Sequence, residues 1–530
     1  MKMTVSDALL AELEGWGITL FFGIPGTSSL GLVDALRRNQ KFRYIVVRHE
    51  ENAAMAASAY HKLTGKVAAC LTIAGPGASN LATGLYDAKE DRASVLAING
   101  QVTGQYIGDG SFQEIDQDAF FRPIAVYNNT IYDKTQALKI LTQALRHAIV
   151  ERGVAQISVP NDVQRASIDA TICEKEACLT RFDIIPDIKN IQQAVAFIDA
   201  AKKPVIIAGW GAFDSAPLVR KFAEKIKAPI VTTYRAKGIL PEDDPWVLGV
   251  LGNVGPPSAR SVVNDADLII TLGVGFSKQT HVPTNKPLVQ VEIDPLKIGK
   301  IPYKVALWGN CALVLPHLLE GVKEKPEGIE RQLSEMKKKW TEQLQKEADG
   351  QAVPIRPPFL MKVLSDLLPK NVVISLDIGE CAWWFGRNFQ MKEGQRFVMS
   401  GYLGTMGFGL PGALAAKLAY PEKPVMCITG DGGFSMAMAD LVTAVKYKLP
   451  MVVIVLNNRQ LAMIQVEQKA EGYPNFGTDL LNPDFVAYAQ ACGCTGMKVS
   501  RPEEFAVAVT QALKMNTIVL IDVDTDPKRF

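Results

Sequence analysis

Short runs of apolar, largely β-branched residues recur through the chain with helix-patterned segments between them, and this rhythm limits the fold more than any other feature. The runs are YIVV, KVAACLTIAG, SVLAING and AQISVP early on, KPVIIAGWG, DLIITLGVG and PLVQVEID in the middle, and NVVISLDIG, PVMCITGDGG, PMVVIVLNN and TIVLIDV towards the end. A strand that is apolar at every position is buried on both faces, and strands joined by helices run parallel. The expected class is therefore α/β, with three doubly wound parallel-sheet domains. Two stretches break the rhythm: an irregular one from Arg165 to Asp187, and the charged EKPEGIERQLSEMKKKWTEQLQKEADGQAVPIRPP, which ends in prolines. Linkers placed there leave domains over residues 1–170, 186–325 and 353–530. The length of 530 residues agrees with this division, since one domain takes about 150 residues. ACLTIAGPGASNLATGLYDAKEDRASVLAING and MCITGDGGFSMAMADLVTAVKYKLPMVVIVLNN share one plan of strand, Gly-x-Gly turn, helix, strand and Asn. That likeness reads equally as an internal repeat or as the common look of βαβ units.

Composition narrows the class of partner. Lysine and arginine number 57 against 55 acidic residues, a net charge of +2 without a long basic run, so neither nucleic acid nor a membrane surface is expected. Hydrophobic residues at 48% and charged residues at 21% suit a compact enzyme with a small-molecule partner. No uninterrupted apolar run reaches the ~18 residues of a membrane span, and MKMTVSDALLAELEGWG is patterned as an amphipathic helix with acids, not as a signal peptide. The expected compartment is the cytoplasm. Neither Cys173 with Cys178 nor Cys492 with Cys494 completes a four-ligand zinc pattern, and all eight cysteines are expected as reduced core thiols. The five histidines lie far apart, which argues against a histidine-rich metal site.

The stretch from Cys427 to Asn458, CITGDGGFSMAMADLVTAVKYKLPMVVIVLNN, carries the chemistry. The strands of a βαβ unit are parallel, so the helix between them must carry the chain back across the sheet. A helix from about Ser435 to Lys448 would span ~21 Å and a strand from Met451 to Asn457 ~23 Å. Asp431 and Asn458 are thus expected side by side at the carboxyl edge of a sheet, where open α/β folds bind ligands. A carboxylate and an amide oxygen are hard donors, too few to cage Ca2+ but suited to Mg2+ that already carries phosphate oxygens. Gly432 and Gly433 let the backbone approach closely, and the amides opening the next helix favour an anion. A tight turn with an N-cap Asp and a separate Asn-Asn turn would explain each piece alone, but not their spacing.

Gly430-Asp431-Gly432, followed 27 residues after Asp431 by the second asparagine of Asn457-Asn458, resembles the fingerprint of the thiamine diphosphate-dependent enzymes. The resemblance covers essentially the whole chain. It implies thiamine diphosphate held through Mg2+, with Asp431, Asn458 and the backbone carbonyl of Gln460 as metal ligands. It also implies a pyrimidine-binding first domain, a Rossmann-like middle domain and a diphosphate-binding third domain. Glu50 of RHEENAAMAASAY opens a helix after RYIVV, where a carboxylate could simply favour the helix N-terminus. Its position matches the family's activating glutamate, which hydrogen-bonds the aminopyrimidine ring. FGIPGTSSL with Pro25 and Gly26, and AGPGASNL with Asn80, match loops that border this ring; neither ends in GK[ST], so neither reads as a nucleotide P-loop. Gly379, Glu380, Gly404, Met406, Gly432 and Gly433 fall on cofactor positions of the third domain, Met406 either as the bulky residue that bends the cofactor or as an ordinary core methionine. Because the two halves of the site come from different domains, the resemblance implies sites shared between subunits. It implies a homodimer, assembled into a homotetramer, and an inactive lone monomer.

Within the family the chain is most similar to the pyruvate oxidase and acetolactate synthase branch, and leans to the oxidase. Phe112-Gln113 of SFQEID is a pair found in both enzymes. LAMIQVEQKAEGY looks like the oxidase stretch, with Ile464 at the bulky position beside the thiazolium and Glu467 at an acidic position facing substrate. Synthases typically carry Arg-Gln-Trp there, and QVEQ has neither Arg nor Trp. The middle domain is similar to one that binds FAD in both enzymes, with Gly209, Gly211, Arg235, Gly252, Gly273 and Asp294 on matching positions. Gly309-Asn310-Cys311 departs from the usual Gly-Asp-Ala, which leaves FAD, ADP or an empty site open. An NAD-dependent dehydrogenase would show a clean GxGxxG with an acid ~20 residues on, which this domain lacks. A binding or regulatory protein that kept the fold would lose Asp431, Asn458 or Glu50, and all three are present. Quinone-linked oxidases add a C-terminal amphipathic membrane segment that DTDPKRF cannot form, so oxygen or a soluble carrier is the expected acceptor. The implied activity is decarboxylation of a 2-keto acid, pyruvate first, with oxidation through FAD. Acetolactate synthase-like carboligation, or action on oxalyl-CoA or sulfoacetaldehyde, are the alternatives.

Overall fold

The computed structural model describes residues 2–181 and 183–528. Three six-stranded sheets organise the chain, and every neighbouring pair of strands within them is parallel. Each apolar run read from the sequence contributes a strand. The first sheet is ordered Arg43–Val46, Leu20–Gly23, Ala68–Thr72, Val95–Gln101, Val154–Pro160, Tyr127–Thr130. The third is ordered Arg396–Val398, Val373–Leu376, Val425–Gly430, Met451–Asn457, Ile518–Asp524, Thr495–Val499. Numbered along the chain within each domain, both read 2-1-3-4-6-5, so the likeness seen in one βαβ unit extends to the whole sheet. The middle sheet runs Val247–Val250, Ile230–Thr232, Pro204–Ala208, Leu268–Leu272, Leu288–Glu292, Val305–Trp308, which is the 3-2-1-4-5-6 Rossmann order.

The first and third domains share one apolar core. Helices Glu50–Thr64 and Gly409–Ala419 pack against each other, and both carry fully buried alanines, among them Ala53, Ala57, Ala413 and Ala416. Side chains this small allow close approach of two helices. The middle domain has a core of its own, around Phe222, Ile270 and Leu315.

Four details differ from the sequence reading. The crossing segment expected as one helix from about Ser435 begins at Asp431 and is divided into Asp431–Ala437, a 3-10 turn Met438–Asp440, and Leu441–Lys446. Asp440 sits at the break because its carboxylate accepts from the Arg48 backbone N–H at 2.8 Å and from Thr443 Oγ1 at 2.6 Å, partners a continuous helix would not offer. The irregular stretch after Arg165 contains a short strand, Ser167–Asp169, paired antiparallel with Lys2–Thr4. The charged linker holds an 18-residue helix, Glu330–Glu347, rich in strong helix formers and anchored by buried Leu333. Its Lys337 Nζ donates to the carbonyls of Glu242 at 2.9 Å and Val247 at 3.0 Å. Finally, Cys173 and Cys178 form a disulfide, which corrects the expectation of thiols for that pair. The helical turn Lys175–Cys178 brings their Cα atoms to 6.1 Å, and Trp16 Nε1 donates to the Cys173 carbonyl at 2.8 Å. The other six cysteines are free. No helix among the described residues is long and apolar enough to cross a membrane, and residues 529–530 of the DTDPKRF tail lie outside the described residues.

Candidate active site

Strand register brings the diphosphate-side residues together. Gly430 pairs with Leu456, so Asp431 leaves the carboxyl edge of the third sheet beside Asn457 and Asn458. Asp431 is 2% exposed, and burial pushes its carboxyl up from the ordinary range while a hydrogen bond from Asn482 opposes this. Asn482 Nδ2 donates to Asp431 Oδ2 at 2.6 Å and to Asn457 Oδ1 at 3.0 Å. Asn458 Oδ1 accepts from the Gln460 backbone N–H at 3.0 Å, closing a turn in which Arg459 takes a φ of 57°. Asp431, the Asn458 amide oxygen and the Gln460 carbonyl thus issue from two adjacent strand ends as an all-oxygen set. Such a set matches the preference of Mg2+ for a few protein oxygens completed by phosphate. Among the described residues no group of three or more His, Cys, Asp or Glu is placed to hold a metal, so a carboxylate with amide and carbonyl oxygens is the arrangement on offer.

The glycines beside Asp431 are there for space. A Cβ on Gly433 would come 2.8 Å from the Asp377 carboxylate, and one on Gly432 would come 2.9 Å from Leu461 Cδ2 and 3.1 Å from Met406 Cε. Met406 therefore borders the Asp431 turn. Asp377, which the sequence reading missed, is fully buried and accepts from the backbone N–H groups of Ile378, Gly407 and Gly409 at 2.8, 2.9 and 3.2 Å and from Thr429 Oγ1 at 2.8 Å. It ties the segment leading into Gly379 and Glu380, the Gly404–Met406 turn and the end of strand Val425–Gly430 to one point. Gly379 and Gly404 have φ values of 117° and 71°, which favour glycine.

The pyrimidine-side residues lie in the first domain. Glu50 opens its helix, is 8% exposed, and accepts from Asn80 Nδ2 at 2.9 Å through Oε2. Pro25-Gly26 and the Ala74–Leu81 loop follow strands 1 and 3 of the first sheet, at its topological switch point. The loops meet there: a Cβ on Gly26 would strike Ile73 Cγ2, and the Ala74 N–H donates to Ser28 Oγ at 2.9 Å. Gln113, at φ 65°, lays its backbone against Gly75, while the neighbouring Phe112 ring is 87% exposed. The helix of Glu50 is docked on its own third domain through Arg48 N–H and Asn52 Nδ2, which both donate to Asp440, and through the Val46 N–H, which donates to the Tyr447 hydroxyl. Among the described residues no hydrogen bond or ion pair joins Glu50 to Asp431, Asn458 or Gln460.

A cavity of about 1820 Å³ lies where the three domains meet, its walls including Gly211, Arg235, Gly273, Asp294, Tyr402 and Glu467. Gly209 and Gly273 follow strands 1 and 4 of the middle sheet, at the Rossmann switch point, and a Cβ on Gly209 would come 2.1 Å from the Gly273 carbonyl oxygen. Gly252, at φ 129°, passes the Gln279 carbonyl in the same way. Arg235 pairs with Asp91 at 2.9 Å and lies over the Trp210 ring; Asp294 accepts from the Leu296 N–H at 3.0 Å and pairs with Arg92. Asn310 caps helix Cys311–Gly321 by accepting from the Ala312 N–H at 2.8 Å, the work an aspartate would do there. Helix Ala462–Ala470 spans from the Asp431 turn to this cavity: Leu461 touches Gly432, while Met463, Val466 and Glu467 line the cavity and Ile464 is 44% exposed.

Three parallel sheets in these orders, with oxygen donors gathered at the carboxyl edge of the third, define a thiamine diphosphate enzyme. The chain belongs to the thiamine pyrophosphate enzyme family: residues 3–120 match its N-terminal TPP binding domain, 191–318 its central domain and 377–523 its C-terminal TPP binding domain. It is similar to the protein YdaP of Bacillus subtilis, whose description links it to thiamine pyrophosphate, at 40% identity over 98% of this chain and 91% of the relative. It is also similar to the acetolactate synthase large subunit of Corynebacterium glutamicum, at 33% identity over 97% of this chain and 85% of the relative. The pyruvate oxidase of Lactiplantibacillus plantarum is 32% identical over 97% of this chain and 87% of the relative.

Proposed function

We propose that this enzyme decarboxylates a small 2-keto acid, pyruvate first, and passes the electrons of the remaining two-carbon fragment to FAD in the middle-domain cavity. Helix Ala462–Ala470 carries this reading, because it begins against the Asp431 turn and its Met463–Glu467 face lines that cavity. The buried Asp431 carboxylate, Asn458 and the Gln460 carbonyl suit Mg2+ and would hold it with the diphosphate. The cavity beside Gly211 and Gly273, with Asn310 keeping its capping bond, suits a dinucleotide. When bound, thiamine diphosphate supplies a sink for the electron pair released as carbon dioxide leaves, and FAD supplies a two-electron acceptor.

The chain's own residues would do the rest. Glu50, held by Asn80, keeps a carboxyl group in place to exchange a proton with the pyrimidine ring. Met406 fixes the floor beside Gly432, Gln113 and Glu467 steer the polar end of the substrate, and Phe112 and Ile464, both exposed in one chain, exclude water once covered. That exposure, with Glu50 and Asp431 unjoined within one chain, supports sites completed by a second copy in a homodimer or homotetramer. Carboligation to acetolactate is the second reading, favoured by the Corynebacterium glutamicum relative named for that reaction. Purified protein should show flavin absorbance and, given pyruvate, thiamine diphosphate and Mg2+, consume oxygen and form peroxide. Colourless protein that turns pyruvate into acetolactate without oxygen uptake overturns the oxidase reading.

A further inference from the structure

Two arginines stand side by side on the seam between the first and middle domains. Arg92 follows helix Ala82–Glu90 and Arg152 follows helix Ala137–Val150, each just before a strand, and those strands are neighbours with Val95 paired to Val154. Both therefore emerge at the amino edge of the first sheet. Both also hold left-handed backbone, with φ of 56° and 55°, at positions after a helix where glycine is the easier residue.

Facing them across a cavity of about 330 Å³ are Asp294, Lys297 and Lys300 of the middle domain, and Lys89, Glu90 and Glu151 complete the charged lining, so cations outnumber carboxylates five to three. Four of these eight charges are engaged. Arg92 pairs with Asp294 at 2.5 Å, Lys89 donates to the Pro123 carbonyl at 2.6 Å, and Glu151 is bonded to His147. Arg152 and Lys297 are both half-buried, yet among the described residues neither side chain has a hydrogen bond or an ion pair. Burial pushes the pKa of each down and Arg92 lowers both further, while the Glu292 and Asp294 carboxylates act in the opposite sense. Glu292, the other carboxylate that acts on both, already accepts the backbone N–H groups of Ile293 and Asp294 at 2.9 and 3.0 Å. Glu292 and Asp294 act on these two cations only through space, without a hydrogen bond to either side chain, so the seam keeps an excess of positive charge that an arriving anion would relieve.

We propose that this seam cavity binds a phosphate monoester, either on the ribose of a nucleotide in the large cavity or free as inorganic phosphate. The two cavities share Arg92, Arg152, Asp294 and Lys297 in their walls, so one ligand can reach both. Asp294 is already paired with Arg92, and the planar fork of Arg152 with the point charge of Lys297 offers donors to two phosphate oxygens. The free-phosphate arm is compatible with FAD in the large cavity, whereas the nucleotide arm requires another nucleotide there, because the ribose of FAD carries no phosphate monoester.

Calorimetry on the full-length protein at fixed ionic strength, with AMP, adenosine 2′,5′-bisphosphate, adenosine 3′,5′-bisphosphate and inorganic phosphate as probes, tests it. A bisphosphate that binds at least about tenfold tighter than AMP identifies a nucleotide-borne phosphate, and heat from inorganic phosphate with no such gain identifies the free ion. In either case Arg152→Gln and Lys297→Gln should each weaken the binding by about 10- to 100-fold, the loss of one charge-assisted contact. Neither side chain has a hydrogen bond or ion pair to lose among the described residues, and each is opposed by burial and by the Arg92 charge, so both variants should melt no lower than the parent. Binding unchanged in both variants, no binding of any probe, or a fall in melting temperature in both overturns the proposal.

Discussion

Asn482 Nδ2 lies 2.6 Å from Asp431 Oδ2, and the same nitrogen reaches Asn457, so one amide clamps the ends of two strands at the expected metal site. Partners of this kind orient a ligand without touching the metal. Asn482→Ala should raise the Mg2+ and thiamine diphosphate concentrations needed for half-maximal activity by about 10- to 100-fold, with a smaller change in the rate at saturation. An activation titration of both variants separates the two effects.

Glu50→Gln keeps the shape of the side chain and an oxygen able to accept from Asn80. Turnover should fall by about 10²- to 10⁴-fold while the cofactor content of the purified protein stays that of the parent. Undiminished turnover would remove Glu50 from the chemistry.

Mixing two inactive proteins probes the shared site. The helix of Glu50 is fixed to Asp440 of its own chain, and Glu50 makes no bond to Asp431. If each site draws on two subunits, a Glu50→Gln and Asp431→Asn mixture refolded together should recover about a quarter of the parent activity, since half of the dimers are mixed and each holds one intact site. Absence of recovery would place both residues in the site of one chain.

The end of the linker helix makes a pH-dependent anchor. Arg387 Nε donates to Glu347 Oε2 at 2.9 Å and Asn388 Nδ2 donates to the same oxygen at 3.1 Å. Burial pushes the Glu347 carboxyl up, but the hydrogen bonds from Arg387 and its neighbours outweigh it and hold the carboxyl below the usual range. A depressed folded value means the unfolded chain binds the proton more readily, so the stabilisation is complete above the unfolded value of about 4.3 and is lost as pH falls through the lower folded value. Glu347→Gln should cost about 1–3 kcal/mol at pH 7 and flatten the acid limb of a stability-against-pH curve from denaturant titrations.

The sequence disclosed what local pattern can carry. Continuous apolar runs located the buried parallel strands, and simple length matching brought Asp431 to Asn458. The three-residue strands Ile230–Thr232 and Arg396–Val398 were missed because so short a run has no readable period. Asp377 and Asn482 were missed for another reason: their bonds to Thr429 and Asp431 span 52 and 51 residues, and nothing in residue spacing reports such a pairing. The break at Met438–Asp440 answers to Arg48, 392 residues away, and so lay beyond any reading of helix propensity. The pair Cys173 and Cys178 had the spacing of a small loop, but the turn that brings the sulfurs together was not legible.

In the first and third domains alike, one helix joins the second strand along the chain to the third: Glu50–Thr64 in one, Gly409–Ala419 in the other. These two counterparts are the ones that lie together in the shared core. Like meeting like is the contact that a two-fold axis creates between separate molecules; here it is internal, a pseudo-symmetric joint within a single polypeptide. The joint therefore sets the two 2-1-3-4-6-5 sheets on either side of one pair of corresponding helices.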